Sequence, residues 1–282
     1  MIKSESKHIG YSKILVRSIL LPALIIILLK IFALTFFKIR AVSMEPTILP
    51  GEIILVSKMS YGSRLLNLYR YITASKIEFI RIKGWNKPKR GDVIVFNWPN
   101  YYSVYDSTSS IYGDYTVKRC YGLPGDSVLI TNNKITNVSH NFNTSLSKEI
   151  PDSGYVLFPH DSTLSWTLRS YGPLYVPAKG QSIIVTQKTL LWYKDILKYE
   201  NPNSLIRDNI FFINDKAVLQ YTFQHNYYFM LGDNFNYSQD SRYWGFVPDG
   251  NIIGKGALIL ISVNTEGKGF KKIRFNRTLT LL

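Results

Sequence analysis

The chain begins with one long apolar run and continues with much shorter ones. Residues 14–37 are mostly Ile, Leu, Ala and Phe, and their only charged residues are Arg17 and Lys30. A helix of this length measures about 36 Å, whereas the apolar core of a bilayer is about 30 Å thick. Arg17 can extend to the near interface, but Lys30 lies about two turns inside the far end. The run predicts a transmembrane helix over 14–37; a buried core helix or an amphipathic interfacial helix is the alternative.

Basic residues flank this run unevenly. The basic residues before or at its start are Lys3, Lys7, Lys13 and Arg17, and those directly after it are Lys38 and Arg40. This modest bias favours a cytoplasmic tail over 1–13 and an exported C-terminal body. No convincing small-x-small cleavage site follows the run, so we expect it to remain attached as an anchor.

After residue 40 the apolar positions form short runs bounded by Gly, Pro and Asn, a pattern typical of strands. The strongest are Ile53 to Val56, Val93 to Phe96, Tyr115 to Val117, Tyr228 to Leu231 and Ala257 to Val263. Residues 131–225 are richer in Asn, Ser and Thr, with weaker candidates at Ser182 to Thr186, Phe211 to Ile213 and Val218 to Phe223. We therefore predict a mainly β protein whose catalytic domain, 38–130 and 226–282 with a basic tail, is interrupted by an inserted β subdomain over 131–225.

Charge indicates the kind of partner. The 282 residues carry a formal charge of +15, which suits an anionic membrane, nucleic acid or an acidic protein. Residues 61–90 contain eight basic residues against Glu78 alone, interleaved with aliphatic and aromatic residues. Each basic residue near anionic headgroups contributes about 1 kcal/mol. A solvated hairpin is the alternative, but for an anchored, exported body anionic lipid is the expected partner, and nucleic acid is not.

Two short segments suggest the chemistry. Ser43 lies in Val42-Ser43-Met44-Glu45-Pro46-Thr47, and Lys118 ends a β-prone run that leads into a Gly-Leu-Pro-Gly-Asp turn. A serine hydroxyl needs a base, and a lysine buried among apolar groups loses its extra proton easily enough to serve as one. Taken alone, the Lys118 segment fits a surface basic pair before a turn better than a catalytic lysine. None of the four histidines lies in a motif-like setting.

Other chemistries find less support in the sequence. Cys120 is the single cysteine, so an internal disulfide is impossible, and its strand-like setting does not favour a Cys-His protease. No His/Cys/Asp cluster has metal-ligand spacing, and no phosphate-binding glycine loop is present. We expect neither a cofactor nor a metal.

A second polar cluster follows the run that ends at Leu231. Gly232-Asp233-Asn234 forms a turn, and Ser238, Asp240, Ser241 and Arg242 follow. The spacing of Asp240 and Arg242 suits an ion pair, and either serine could orient a lysine amine. Local turn chemistry is the alternative for each residue taken singly.

Four segments, in order, resemble type I signal peptidases, the leader peptidase family of membrane-bound Ser-Lys proteases. They are Ser43-Met44-x-Pro46-Thr47-x-Leu49-x-Gly51; Arg90-Gly91-Asp92-Val93-Ile94-Val95-Phe96; Lys118-Arg119-x-x-Gly122-Leu123-Pro124-Gly125-Asp126; and Gly232-Asp233-Asn234-x-x-x-Ser238-x-Asp240-Ser241-Arg242. The resemblance covers the anchor and most of the catalytic body, and says little about 131–225.

The resemblance implies a role for each matched residue. Ser43 would be the nucleophile, its backbone N–H an oxyanion donor, and Lys118 the general base. Ser238 would hydrogen-bond the lysine amine, and Asp240 and Arg242 would form a supporting ion pair, with Asp233 in the same turn network. Ala41 departs from the pattern, because many Gram-negative members have there a hydroxyl that serves as second oxyanion donor, and losing one such donor costs roughly 2.7–4 kcal/mol.

The resemblance also implies a fold and a substrate. The fold would be a coiled, largely antiparallel β body with an apolar surface that enters the outer leaflet of the bacterial inner membrane. Secretory preproteins would be cut after a small-x-small motif, bound as an added strand. Two alternatives remain: a related Ser-Lys processing peptidase with a dedicated substrate, such as a plasmid-transfer or pilin-processing peptidase or a self-cleaving repressor, or a non-enzymatic, membrane-anchored basic domain.

Overall fold

The computed structural model describes residues 16–66, 72, 79–99, 115–131, 134–137, 140–145, 157–161, 163–264 and 272–282. A π-helical turn, Val16–Leu20, leads into helix α1 (Leu21–Phe32), and two further helices are α2 (Gln187–Glu200) and α3 (Ser241–Trp244). The strands are β1 (Leu34–Lys38), β2 (Glu52–Ser57), β3 (Arg64–Leu66), β4 (Phe79–Arg81), β5 (Val93–Asn97), β6 (Tyr115–Gly122), β7 (Ser127–Thr131), β8 (Lys134–Asn137), β9 (His140–Ser145), β10 (Tyr171–Tyr175), β11 (Ser182–Ile184), β12 (Leu205–Arg207), β13 (Ile210–Ile213), β14 (Lys216–Ala217), β15 (Gln220–Thr222), β16 (Tyr227–Leu231), β17 (Val247–Pro248), β18 (Ile252–Ser262) and β19 (Thr280–Leu281).

The main sheet is antiparallel and has the order β1-β2-β18-β5-β6-β16-β17, with β19 paired to β18. Residues in β2 alternate between buried and half-buried positions, which gives the sheet one inner face. Register shifts interrupt β18 against β2 and β16 against β6, and such bulges bend and twist a sheet. The expectation of a mainly β, curled antiparallel body is confirmed.

The long apolar run does not form one helix. Helix α1 ends at Phe32 with Ala33 as its C-cap, and residues 34–37, which we expected within the transmembrane helix, belong to β1. This strand is paired with β2 from Leu34↔Ser57 to Lys38↔Ile53. The Thr-Phe-Phe sequence favours a strand, and β2 supplies the partner that a continued helix would forgo. Within the described residues, no helix is both long enough and apolar enough to cross a membrane.

The end of α1 is tied to the sheet by side chains. Lys58 Nζ donates to the carbonyl oxygens of Lys30 (2.6 Å) and Ile31 (3.0 Å). The Phe32 carbonyl accepts from the Ser63 hydroxyl. These bonds satisfy carbonyls that a helix end leaves without a partner. The side chains of α1 itself are exposed along its length, with no buried residue.

The outer face of the main sheet carries a cross-strand apolar row. Phe36 pairs with Leu55, Leu55 with Leu258, and Leu258 with Leu281, so the four side chains project from one face. Phe36 is 53% exposed and Leu281 79% exposed. Contiguous exposed apolar surface of this kind marks an interaction site more often than a solvated face.

The basic stretch at 61–90 is only partly a surface feature. Arg64 and Arg81 pair across the β3–β4 hairpin and point into the protein: Arg64 donates to Asn97 Oδ1 (2.6 Å) and Arg81 to the carbonyls of Asp249 (3.0 Å) and Ile252 (2.6 Å). Arg90 bonds Asp126 (2.8 Å). Lys83, Lys87 and Lys89 are exposed, and Arg70 and Lys76 lie outside the described residues.

The region predicted as an inserted β subdomain has several small sheets: β10-β7-β8-β9, β11-β15 and β12-β13-β14. Its first sheet begins with β7, just before the boundary that we placed at residue 131. It also contains α2, which we did not predict. Thr186 caps α2, and Leu190, Tyr193, Ile196 and Leu197 bury one face of it.

Candidate active site

Ser43 lies in the loop between β1 and β2. The neighbouring side chains of Met44 and Ile48 are buried in the core at 1% and 0% exposure, and Ile48 N–H donates to the Met44 carbonyl (2.9 Å). Asn234 holds the loop from the other side: its backbone N–H donates to the Ser43 carbonyl (3.0 Å) and its side-chain amide to the Val42 carbonyl (3.1 Å). The backbone at Ser43 is therefore fixed by both the core and the Gly-Asp-Asn turn.

Glycine is required at position 232 of that turn. A Cβ at Gly232 would collide with the Ser43 carbonyl oxygen and with the side chain of Ser238. The close approach brings the two serines against the same turn, which explains in steric terms why this polar segment begins with glycine.

Lys118 lies in β6, opposite Ile94 of β5, and is 3% exposed. Its Nζ donates to Ser238 Oγ at 3.0 Å. Burial lowers the pKa of Lys118 from its ordinary 10.5 to about 8; the nearby charges of Asp240 and Asp233 raise it and that of Arg242 lowers it, all by less than burial does. The sequence-based expectation of a buried lysine is met, and a substantial share of this amine is neutral slightly above pH 7.

Ser43 and Lys118 line one cavity of about 730 Å³. Two backbone segments form most of its wall, residues 38–44 and 115–118, and Trp98, Tyr237 and Gln239 complete it. Ala41 is exposed in this wall and offers no side-chain donor. Tyr237 and Gln239 do offer donors, but neither had a signal in the sequence.

Asp240 and Arg242 form an ion pair that is completely buried, with 0% exposure on both side chains. The guanidinium contacts the carboxylate twice, Nε to Oδ1 and Nη2 to Oδ2, each at 2.8 Å. Arg242 also donates to the Phe235 carbonyl (2.8 Å) and lies over the Phe235 ring, while Asp240 caps α3 and accepts from Gly232 N–H (3.2 Å). The pair thus holds both ends of the loop that contains Ser238.

Asp233 does not join this pair. Instead it accepts two bonds from Arg119, from Nε (2.8 Å) and Nη2 (2.5 Å). Arg119 further donates to Gly91 O (2.7 Å) and Thr47 Oγ1 (3.3 Å), so it links the Gly-Asp-Asn turn to the segment after Ser43. The sequence offered Arg119 only as the neighbour of Lys118, and its role as a connector was missed.

Ser241, the second serine considered for orienting the lysine, has a different partner. Its Oγ accepts from Met230 N–H at 2.8 Å within the core. Ser238 is thus the serine that contacts the lysine amine, and Ser241 is bound to the backbone of β16.

Comparison with known proteins identifies the family. The family model "Signal peptidase, peptidase S26" matches residues 12–261. Signal peptidase I of Buchnera aphidicola subsp. Baizongia pistaciae is 33% identical over 91% of this chain and 79% of its own, and that of Pseudomonas aeruginosa is 31% identical over 86% and 70%. A solved signal peptidase I from Enterococcus faecalis is 20% identical over 60% of this chain and 97% of its own, with a TM-score of 0.27. The chain belongs to the signal peptidase family, peptidase S26.

Proposed function

We propose that this protein is a membrane-bound serine endopeptidase that removes signal peptides from secretory preproteins after a small-x-small motif. The observation that carries the proposal is the buried Lys118 amine, with its pKa lowered to about 8, in the cavity that Ser43 also lines. A base with a pKa near the working pH is the most efficient kind, and lysine reaches that range only when it is desolvated.

In the proposed mechanism the neutral Lys118 amine takes the proton from Ser43 Oγ as this oxygen attacks the scissile carbonyl carbon. The Ser43 backbone N–H stabilises the resulting oxyanion. The lysine ammonium then gives its proton to the leaving amine as the peptide bond breaks, which leaves an acyl-enzyme on Ser43. Lys118 next takes a proton from water, and the resulting hydroxide attacks the acyl carbon. The bond from that carbon to Ser43 Oγ breaks, the carboxylic acid product leaves, and Lys118 returns the proton to Ser43 Oγ.

The surrounding polar residues act by positioning Ser43 and Lys118. Ser238 orients the lysine amine through the 3.0 Å hydrogen bond without adding a charge. The Asp240–Arg242 pair fixes the Ser238 loop, and Asp233 with Arg119 fixes the turn behind Ser43. We assign all of these residues a supporting role.

The substrate would bind as an extended strand between residues 38–44 and 115–118, because strand addition satisfies its backbone while alternate side chains enter pockets. Two small pockets at alternating positions of this strand would exclude large side chains and give the small-x-small preference.

The location follows from the same proposal. Residues 14–37 would contain the single span in the bacterial inner membrane, ending before β1, with 1–13 in the cytoplasm and the catalytic domain outside. The apolar row Phe36–Leu55–Leu258–Leu281 would face the outer leaflet beside α1, and exposed lysines would contact anionic lipids. No nucleic-acid partner is proposed.

The proposal is tested by incubating the detergent-solubilised, full-length protein with a preprotein, alongside Ser43→Ala. We expect cleavage at the small-x-small site by the wild type and none by the variant. Cleavage by Ser43→Ala at the wild-type rate would overturn the assignment of the nucleophile. A panel of pilin-like and transfer-protein substrates separates a dedicated processing peptidase from a general one.

A further inference from the structure

A buried carboxylate in the main sheet is bonded to the C-terminal segment. Glu52, at the start of β2, is 0% exposed. It accepts from Arg277 Nε (2.6 Å) and Ser262 Oγ (2.8 Å) on one oxygen, and from Leu49 N–H (2.8 Å) on the other. A carboxylate in this setting needs its cation, and Arg277 supplies it from a position 225 residues away.

The same guanidinium reaches the loop that contains Ser43. Arg277 Nη2 donates to the carbonyl of Thr47 (2.8 Å) and makes a longer bond to that of Pro46 (3.3 Å). Arg119 Nη2 donates to the side-chain hydroxyl of the same residue, Thr47 (3.3 Å). The segment that follows Ser43 is therefore bound to two arginines, one from β6 and one from the C-terminal segment.

We infer that Arg277 is a positioning residue for catalysis: by binding Glu52 and the Thr47 carbonyl together, it sets the backbone that presents Ser43 Oγ and N–H to the substrate. The inference rests on the proposed function of Ser43. Arg277 does not line the cavity, so its effect passes through the loop.

The geometry calls for arginine specifically. One planar guanidinium bonds the Glu52 carboxylate through Nε and the Thr47 carbonyl through Nη2. Lysine places its donors on a single nitrogen at the end of a flexible stem, so it can still pair with the buried carboxylate but does not reproduce this two-nitrogen geometry. Arg277→Lys should therefore fold but loosen the loop, and small displacements of a reacting group lower rates by up to about 100-fold.

Arg277→Lys is compared with Arg274→Lys, a matched control. Arg274 lies in the same segment and contacts Ser262 Oγ (3.4 Å), but among the described residues it has no hydrogen bond to the loop over 43–52. We expect Arg277→Lys to lower kcat and the rate of Ser43 labelling by a serine-reactive inhibitor about 10- to 100-fold, with KM and the apparent pKa of the lysine unchanged. Arg274→Lys should behave as wild type in both assays.

The double variant Glu52→Gln/Arg277→Gln controls for misfolding caused by an unpaired buried charge, because it removes both charges together. The glutamine side chain introduced by Arg277→Gln is too short to reach both acceptors, so labelling should fall as in Arg277→Lys. Wild-type labelling in both variants would overturn the inference. Failure of the proposed function looks different: the wild type itself would leave the preprotein uncut, or Ser43→Ala would cut it.

Discussion

Lys118 Nζ donates to Ser238 Oγ across 3.0 Å, although the two residues are 120 positions apart, and both are only 3% exposed. The lysine comes from the middle of the main sheet and the serine from a loop held by a buried ion pair. Burial in a dry site lowers the pKa of the amine, and the hydrogen bond to the Ser238 hydroxyl fixes the orientation of the amine. The following predictions depend on this arrangement.

Ser238→Ala should remove the hydroxyl that orients the amine and lower kcat about 10- to 100-fold. Ser241→Ala is the matched control, because it removes a serine of the same segment that bonds Met230 N–H instead of the lysine. That variant should lose stability by about 1–3 kcal/mol and retain kcat. Preprotein cleavage and urea unfolding measure the two effects; equal kcat in both variants would contradict the prediction.

Lys118→Met should stabilise the protein at pH 7 while abolishing cleavage. Because the folded-state pKa of Lys118 is about 8 and its ordinary value is 10.5, the unfolded chain binds more protons between these values, so stability rises with pH across that window. Below about pH 8 the cost of burying the ammonium is fully present. Lys118→Met removes this cost but also loses the hydrogen bond to Ser238. The free energy of unfolding should therefore rise by on the order of 2–3 kcal/mol.

Urea unfolding of wild type and Lys118→Met at pH 7 and pH 10 tests this directly. The difference should shrink as the pH rises through the window, since the wild-type lysine loses its proton. A difference that is constant between the two pH values would show that the lysine is not desolvated.

Arg242→Met should destabilise the protein by about 3–5 kcal/mol, because it leaves the carboxylate of Asp240 buried without its cation. The double variant Asp240→Asn/Arg242→Met removes both charges and should recover part of that loss. Denaturant unfolding gives both free energies. A double variant that is less stable than Arg242→Met would contradict the account of the pair.

An environment-sensitive dye at Leu281→Cys should report an apolar surrounding when the full-length protein is reconstituted in vesicles, and brominated acyl chains should quench it. Leu281 ends the apolar row and is 79% exposed. Leu219→Cys is the control, as Leu219 is 75% exposed but lies in the region of the inserted subdomain. Cys120 is fully buried and should not react. Equal quenching at both positions would show that the apolar row does not contact the lipid.

Five strands of the main sheet, β2, β5, β6, β16 and β18, could be predicted because each contains a short apolar run bounded by turn residues. The end of the first helix could not, because Leu-Thr-Phe-Phe is apolar enough for a membrane helix and only its pairing with β2 shows a strand. The sequence does predict helix α2, since Leu190, Tyr193 and Leu197 follow helical spacing. We missed it because the surrounding Asn- and Ser-rich sequence is typical of short strands and turns.

Within the site, the sequence motifs predicted two of the side-chain contacts but not the partners of Asp233 and Arg277. The expected contact of Ser238 with Lys118 and the ion pair of Asp240 with Arg242 are both present. No partner for Asp233 was predicted, because nothing local in the sequence links it to Arg119, 114 residues away. Arg277 appeared only as part of a basic tail for the same reason.

The central claim is that a neutral lysine, Lys118, activates Ser43, and the pH dependence of kcat/KM for preprotein cleavage tests it most directly. The account predicts a rate that increases with pH and levels off above an apparent pKa of about 8, the value to which burial lowers the pKa of Lys118. A rate that stays constant down to about pH 5 would contradict it, because a lysine would be protonated throughout that range.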